Sequence, residues 1–149
     1  MMPFASDTRG ALRLIILGLA LQVLGQVWDL RWHAANPGVL ETAGALLRAH
    51  SGIFLGIAVL LAGGWAAVAR SRQPRAGGDP RLRGWLRVVL VGALVQAVGV
   101  AWDSWRHIHG DESAVGHLLA YTGVLAALVA TVVAAWLQTS RQATADRSR

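Results

Sequence analysis

The sequence contains no cysteine, which excludes disulfide scaffolds, thiolate metal sites and cysteine nucleophiles. It contains no lysine either: all 14 basic residues are arginine, set against 8 acids. Charge is scarce overall, at 15% of residues. A soluble nucleic-acid binder needs a far more charged surface. A disordered basic tail is poor in apolar residues, whereas this chain is 54% hydrophobic. No Walker loop, G-x-S-x-G or H-E-x-x-H element is present, and the glycines are scattered rather than gathered into a phosphate cradle. What the chain does have is apolar sequence, with a mean hydropathy of +0.45. At 149 residues one domain is expected, with the bilayer as its solvent. Arginine without lysine, alongside abundant Ala and Gly, is the usage of a GC-rich bacterial coding sequence.

Uncharged apolar runs extend from Leu14 to Trp28, Ser51 to Ala69, Val88 to Trp102 and Ser113 to Gln138. A helix crossing a bilayer needs about 20 residues. The second and fourth runs suffice alone. The first and third are extended by Arg13 and Arg87, whose side chains can snorkel to headgroups, and at their other ends through Trp28–His33 and Trp102–His107. The spacing predicts helices near 9–34, 44–69, 83–108 and 113–138, an all-α integral membrane four-helix bundle. A signal peptide is not expected, because no small-x-small cleavage site follows the first run.

Arginine sets the expected orientation. Arg70, Arg72, Arg75, Arg81, Arg83 and Arg87 crowd a connection marked as a loop by Pro74, Gly77, Gly78 and Pro80. Arg9 and Arg13 precede the first run, and Arg141, Arg147 and Arg149 follow the last. These regions are expected to be cytoplasmic, in contact with anionic lipid. The connections around Pro37–Glu41 and Asp111–Glu112 are expected outside, in a multi-pass protein of the plasma membrane. Trp28, Trp32, Trp102 and Trp105 would then belt the outer interface, and Trp65, Trp85 and Trp136 the inner one.

The pattern R-x4-G-x3-Q-x2-G-x2-W-D-x3-H occurs twice, at Arg13–His33 and Arg87–His107, an offset of 74. The chain reads as two parallel helical-hairpin repeats, at about 9–69 and 83–138, joined by an Arg-rich linker at 70–82 and followed by a tail at 139–149. The second helices align at an offset of 71, which matches His50 with Tyr121 and Trp65 with Trp136. On a helical wheel Gly18, Gly25, Asp29 and His33 fall within about 60° of Gln22, and Gly92, Gly99, Asp103 and His107 do the same around Gln96. Small residues on one stripe mark close helix approach. The Asp and His therefore face the bundle interior, and Gln22 and Gln96 read as interhelical hydrogen-bond partners.

Ionisable residues inside a span are costly unless paired or functional. Inward carboxylates and histidines at i, i+4 are a common way to build a metal site in a helical bundle. Asp29, His33, His50, Asp103, His107 and His117 are the candidate ligands, with copper favoured and zinc or iron also suited to imidazole and carboxylate. Asp29 and Asp103 are also the candidate catalytic groups. The plain alternative for each pair is an i,i+4 contact at a helix end, with the aspartates orienting histidine ligands in a variant. His109 reads as a solvated loop residue, and Asp111 and Glu112 as the acidic start of the fourth helix.

Asp29-x3-His33 followed by His50, and Asp103-x3-His107 followed by His117, resemble the D-x3-H-x12-H metal-binding motif in the C subunit of the copper membrane monooxygenases, the methane and ammonia oxidisers. In that family the first two ligands end one helix and the last begins the next, the arrangement here. The spacings to the last histidine are 16 and 9 rather than 12. The resemblance implies metal ligation and a copper-dependent oxidase- or oxygenase-like role. Two other readings stand beside it. One is a metal-free Asp/His acid–base enzyme, an isomerase or cyclase, acting on a lipid-soluble small molecule. The other is a structural or haem-anchoring subunit of a larger membrane complex or homo-oligomer. No nucleic-acid partner is expected.

Overall fold

The computed structural model describes residues 5–37, 42–72, 79–109 and 114–147. Glu41, Asp111, Glu112, Arg149 and the stretch from Pro74 to Gly78 lie outside them. The chain folds into four helices: α1 (Ala5–Ala35), α2 (Ala43–Ser71), α3 (Pro80–Ile108) and α4 (Ala114–Arg147). All four are long and apolar enough to cross a membrane. The last helix passes the expected boundary at 138 and continues through the residues expected to form a tail. Its far end is tied down, because Arg141 reaches Asp79 at 3.1 Å. Asp79 also starts α3: its carboxylate accepts from Arg81 N at 2.9 Å, and Pro80 occupies the first helical turn. Thr42 caps α2 by accepting from Ala45 N.

Glycine sets the pairing within each hairpin. A Cβ placed on Gly18 would stand 2.6 Å from Leu60 N and 2.9 Å from Gly56 O, and one on Gly25 would stand 2.5 Å from Ile53 N. The backbones of α1 and α2 thus touch where side chains would otherwise hold them apart. In the second hairpin a Cβ on Gly92 would meet Gly123 O at 2.7 Å and Ala127 N at 2.9 Å, and one on Gly99 would meet the backbone of Ala120 and Gly116. The contacting residues Gly56 and Gly123, or Leu60 and Ala127, are 67 apart. The sequence alignment of the second helices at 71 is therefore one helical turn out of register with the packing. In the contact register His50 matches His117, not Tyr121.

The bundle has two unlike halves. The half near the Arg-rich end is filled by Ala11, Leu12, Ile15, Leu60, Ala67, Val68, Leu86, Val89, Ala93, Ala127, Ala130 and Ala134, all buried. Half of them are alanines, so the helices lie close and few large side chains are needed to fill the space. The half near the Asp/His end is polar inside: Gln22, Gln96 and Asp29 are buried there. Trp28 and Trp102 point outward, as the wheel predicts. Trp28 Nε1 also donates to Arg48 O at 3.2 Å, joining α1 to α2.

The seams between hairpins differ as well. The α2–α3 seam is closed, while α1 and α4 scarcely touch. At the closed seam Gly64 admits Leu90, whose Cα would stand 3.4 Å from a Cβ there. In the 67-residue register the α4 counterpart of Gly64 is Thr131, buried, with its hydroxyl donating to Ala127 O. A β-branched residue cannot offer the groove that a glycine does.

Candidate metal centre

Asp29 sits on the inward stripe of α1, with its side chain 10% exposed. One turn later His33 brings Nε2 to 3.3 Å from Asp29 Oδ1. His50, on α2, brings its own Nε2 to 3.4 Å from the same oxygen. One ligand atom from each of these residues lies within 4.8 Å of both others; among the described residues no other trio meets that condition. Two ligands on a tetrahedral ion with bonds of about 2.1 Å stand about 3.4 Å apart, which matches both contacts.

The protons argue in the same direction. His50 Nδ1 lies 3.0 Å from Leu46 O, and a carbonyl only accepts, so Nδ1 donates there. In the neutral ring Nε2 is then a bare lone pair facing a carboxylate oxygen. Two lone pairs at 3.4 Å repel unless a cation, a proton or a metal ion, lies between them. Asp29 Oδ1 is buried and has no hydrogen bond of acceptable angle, while Oδ2 accepts from Gln26 Nε2 at 3.4 Å. A backbone carbonyl fixing one imidazole nitrogen while the other faces the site is how metal-bound histidines are oriented. His50 stacks on Phe54, and His33 packs edge-on against Trp32. Both Nε2 atoms converge on one oxygen, which leaves no room for a porphyrin between them.

The second hairpin gathers its three residues differently. Asp103, backed by Gly116, has its side chain 19% exposed. His117 Nδ1 is 2.9 Å from Oδ1, and His107 Nδ1 is 3.7 Å from Oδ2. His107 Nδ1 is 3.0 Å from Asp103 O, so that nitrogen donates to the backbone. The 2.9 Å contact has ion-pair distance but not the angle of a hydrogen bond. Here the histidines turn Nδ1 toward different carboxylate oxygens, rather than Nε2 toward one.

The six candidate ligands therefore form two groups, one per hairpin. The groups share one chamber. A cavity of about 470 Å³ lies between the hairpins, and its lining includes Asp29 and His50 on one side and Asp103 and His117 on the other. Gln22 and Gln96, 74 residues apart, meet beneath them, with Gln96 Nε2 donating to Gln22 Oε1 at 2.5 Å. His109 stays outside: its Nδ1 lies 2.7 Å from Trp105 O and its ring lies on Trp105. Gln26, Leu46 O and the chamber itself were not anticipated from sequence. The i,i+3 spacing of Gln26 and Asp29 and the i−4 carbonyl below His50 are signals that could have found the first two. Compared with protein-family models, curated proteins and solved structures, the chain matches none.

Proposed function

We propose that this small membrane protein binds a metal ion through Asp29, His33 and His50. The observation that carries this reading is the convergence of two imidazole Nε2 atoms on one buried, unsatisfied carboxylate oxygen at the edge lengths of a tetrahedral site. Imidazole and carboxylate suit copper, zinc or iron, and among divalent ions copper binds such donors most strongly. We take copper as the first candidate, in keeping with the motif resemblance to the copper membrane monooxygenase C subunit, and an oxidase- or oxygenase-like reaction as the role that goes with it. Asp103, His107 and His117 form a second, weaker station.

The two hairpins descend from one duplicated hairpin in this reading, parallel to each other. The site lies on the extracytoplasmic side in this reading, because among the described residues only Arg31, Arg48 and Arg106 of the arginines lie at the Asp/His end. The experiment is elemental analysis of detergent-purified protein after exposure to Cu, Zn and Fe salts. About one tightly held ion per chain is expected, lost in the variant carrying His33→Ala and His50→Ala. Protein that holds no ion, or a double variant that still holds it, overturns the assignment.

A second reading has support from the chamber, onto which Asp29 and Asp103 both open. They would serve as acid and base toward a lipid-soluble molecule without a metal. Turnover that survives chelation but not Asp29→Asn selects it over the first.

A further inference from the structure

The chamber contains an unmet hydrogen-bonding demand below the Asp/His level. Gln22 and Gln96 are 6% and 4% exposed, and both line the cavity. They share a single hydrogen bond. That leaves Gln22 Nε2 as a buried donor and Gln96 Oε1 as a buried acceptor, neither with a partner. Reversing both amides moves the spare donor to one residue and the spare acceptor to the other, but one of each remains. Buried polar groups are almost always satisfied, so this pair offers a donor and an acceptor to a complementary group in the cavity.

The walls define what can reach it. Apart from its polar groups, the cavity lining is apolar and includes Leu19, Val23, Ile53, Val100, Val124 and Leu128. Val23 and Leu30 on α1 and Tyr121 and Leu128 on α4 are exposed as well as cavity-lining. They flank the seam where α1 and α4 scarcely touch. In a membrane this seam faces lipid, so entry is lateral. The Arg-rich half below is closed by the packed core.

We propose that this chamber binds a lipid-soluble molecule whose polar group donates and accepts a hydrogen bond at the same time, a hydroxyl or a carboxylic acid, seated on the Gln22–Gln96 pair. Asp29 lies seven residues beyond Gln22, or about 10 Å along the helix. A molecule anchored at the glutamines therefore runs either up toward the aspartates or out through the seam. The inference rests on the four helices spanning a bilayer and does not depend on a metal.

The test uses full-length protein in nanodiscs with tritiated 1-dodecanol, dodecanoic acid and dodecyl methyl ether, each measured against empty nanodiscs. The ether accepts but cannot donate. We expect one saturable site per chain for the alcohol or the acid, bound at least tenfold more tightly than the ether. Whichever of the two binds tighter identifies the head group. The variant carrying both Gln22→Leu and Gln96→Leu removes the amides while filling similar volume, and is expected to bind all three probes alike. Its metal content should match that of the unmodified chain, which separates this site from the metal centre. Leu128→Trp, at the seam, is expected to reduce alcohol binding with the glutamines intact.

Equal binding of alcohol, acid and ether by the unmodified chain overturns the proposal and leaves an acyl-chain groove. Undiminished alcohol binding in the double-Leu variant also overturns it, since the glutamines would then serve only to join α1 to α3. Efficient disulfide cross-linking between copies carrying Val23→Cys and Leu128→Cys overturns it as well, because the seam would then be an interface between two copies.

Discussion

The two hairpins pair their helices in the same way and differ at their Asp/His groups. Gly18 and Gly25 bring α1 onto α2 as Gly92 and Gly99 bring α3 onto α4. Above these contacts, however, the first hairpin directs two Nε2 atoms at one carboxylate oxygen, and the second directs two Nδ1 atoms at two oxygens. Identical residue types in matching positions thus give a group that converges on one oxygen on one side and a group spread over two oxygens on the other. The backbone sets the scaffold; Nδ1 meets an i−4 carbonyl in both His50 and His107, so the difference lies in which nitrogen each ring then turns to the carboxylate.

The largest effect that would sharpen this contrast is on metal affinity. His33→Ala with His50→Ala should weaken copper binding by about a hundredfold or more, roughly 3 kcal/mol. His107→Ala with His117→Ala should weaken it by less than about tenfold, or 1.4 kcal/mol. A competition titration against a chromophoric chelator measures both, and equal losses would erase the distinction between the hairpins.

The likeness of the hairpins is tested next. Gly25→Ala and Gly99→Ala each push a methyl group into facing backbone and should cost about 1–3 kcal/mol. Gly10→Ala meets nothing within 4 Å and should stabilise α1 slightly, by roughly 0.5–1 kcal/mol. Reversible unfolding in mixed detergent micelles reads all three. A silent Gly99→Ala would show that the second hairpin does not depend on close approach. The smallest effect concerns the seams: Gly64→Thr should cost about 1 kcal/mol and move α2 away from α3. Spin labels at the exposed positions Trp65 and Val91 report that separation, and an unchanged distance would mean that the glycine does not close the seam.

Much of the architecture was legible in the sequence. Run length pointed to four helices long and apolar enough to cross a membrane, as found, and the 3.6-residue period put Gly18, Gln22, Gly25 and Asp29 on one inward face, where they are found buried. The register of the second helices was not legible. Ala and Leu align at almost any shift, and the match of Ala49-His50-Ser51-Gly52 with Ala120-Tyr121-Thr122-Gly123 drew the alignment to 71, although backbone contact at Gly56 and Gly123 sets it at 67. The helical course of 139–147 was missed because hydropathy marks where a chain leaves the apolar region, not where its helix stops. Which nitrogen each histidine presents depends on rotamer and on carbonyls such as Leu46 O, information that residue identity does not contain.

The alanine-packed half has a consequence for traffic. Ile15, Leu60, Leu86 and Val89 are fully buried, and they form an apolar plug between the chamber and the Arg-rich end. A charge crossing such a plug would have to shed its hydration, which sets a barrier to ions at that end of the bundle. The apolar cluster is thus an insulating wall behind the chamber, and the chamber's polar lining lies on one side of it.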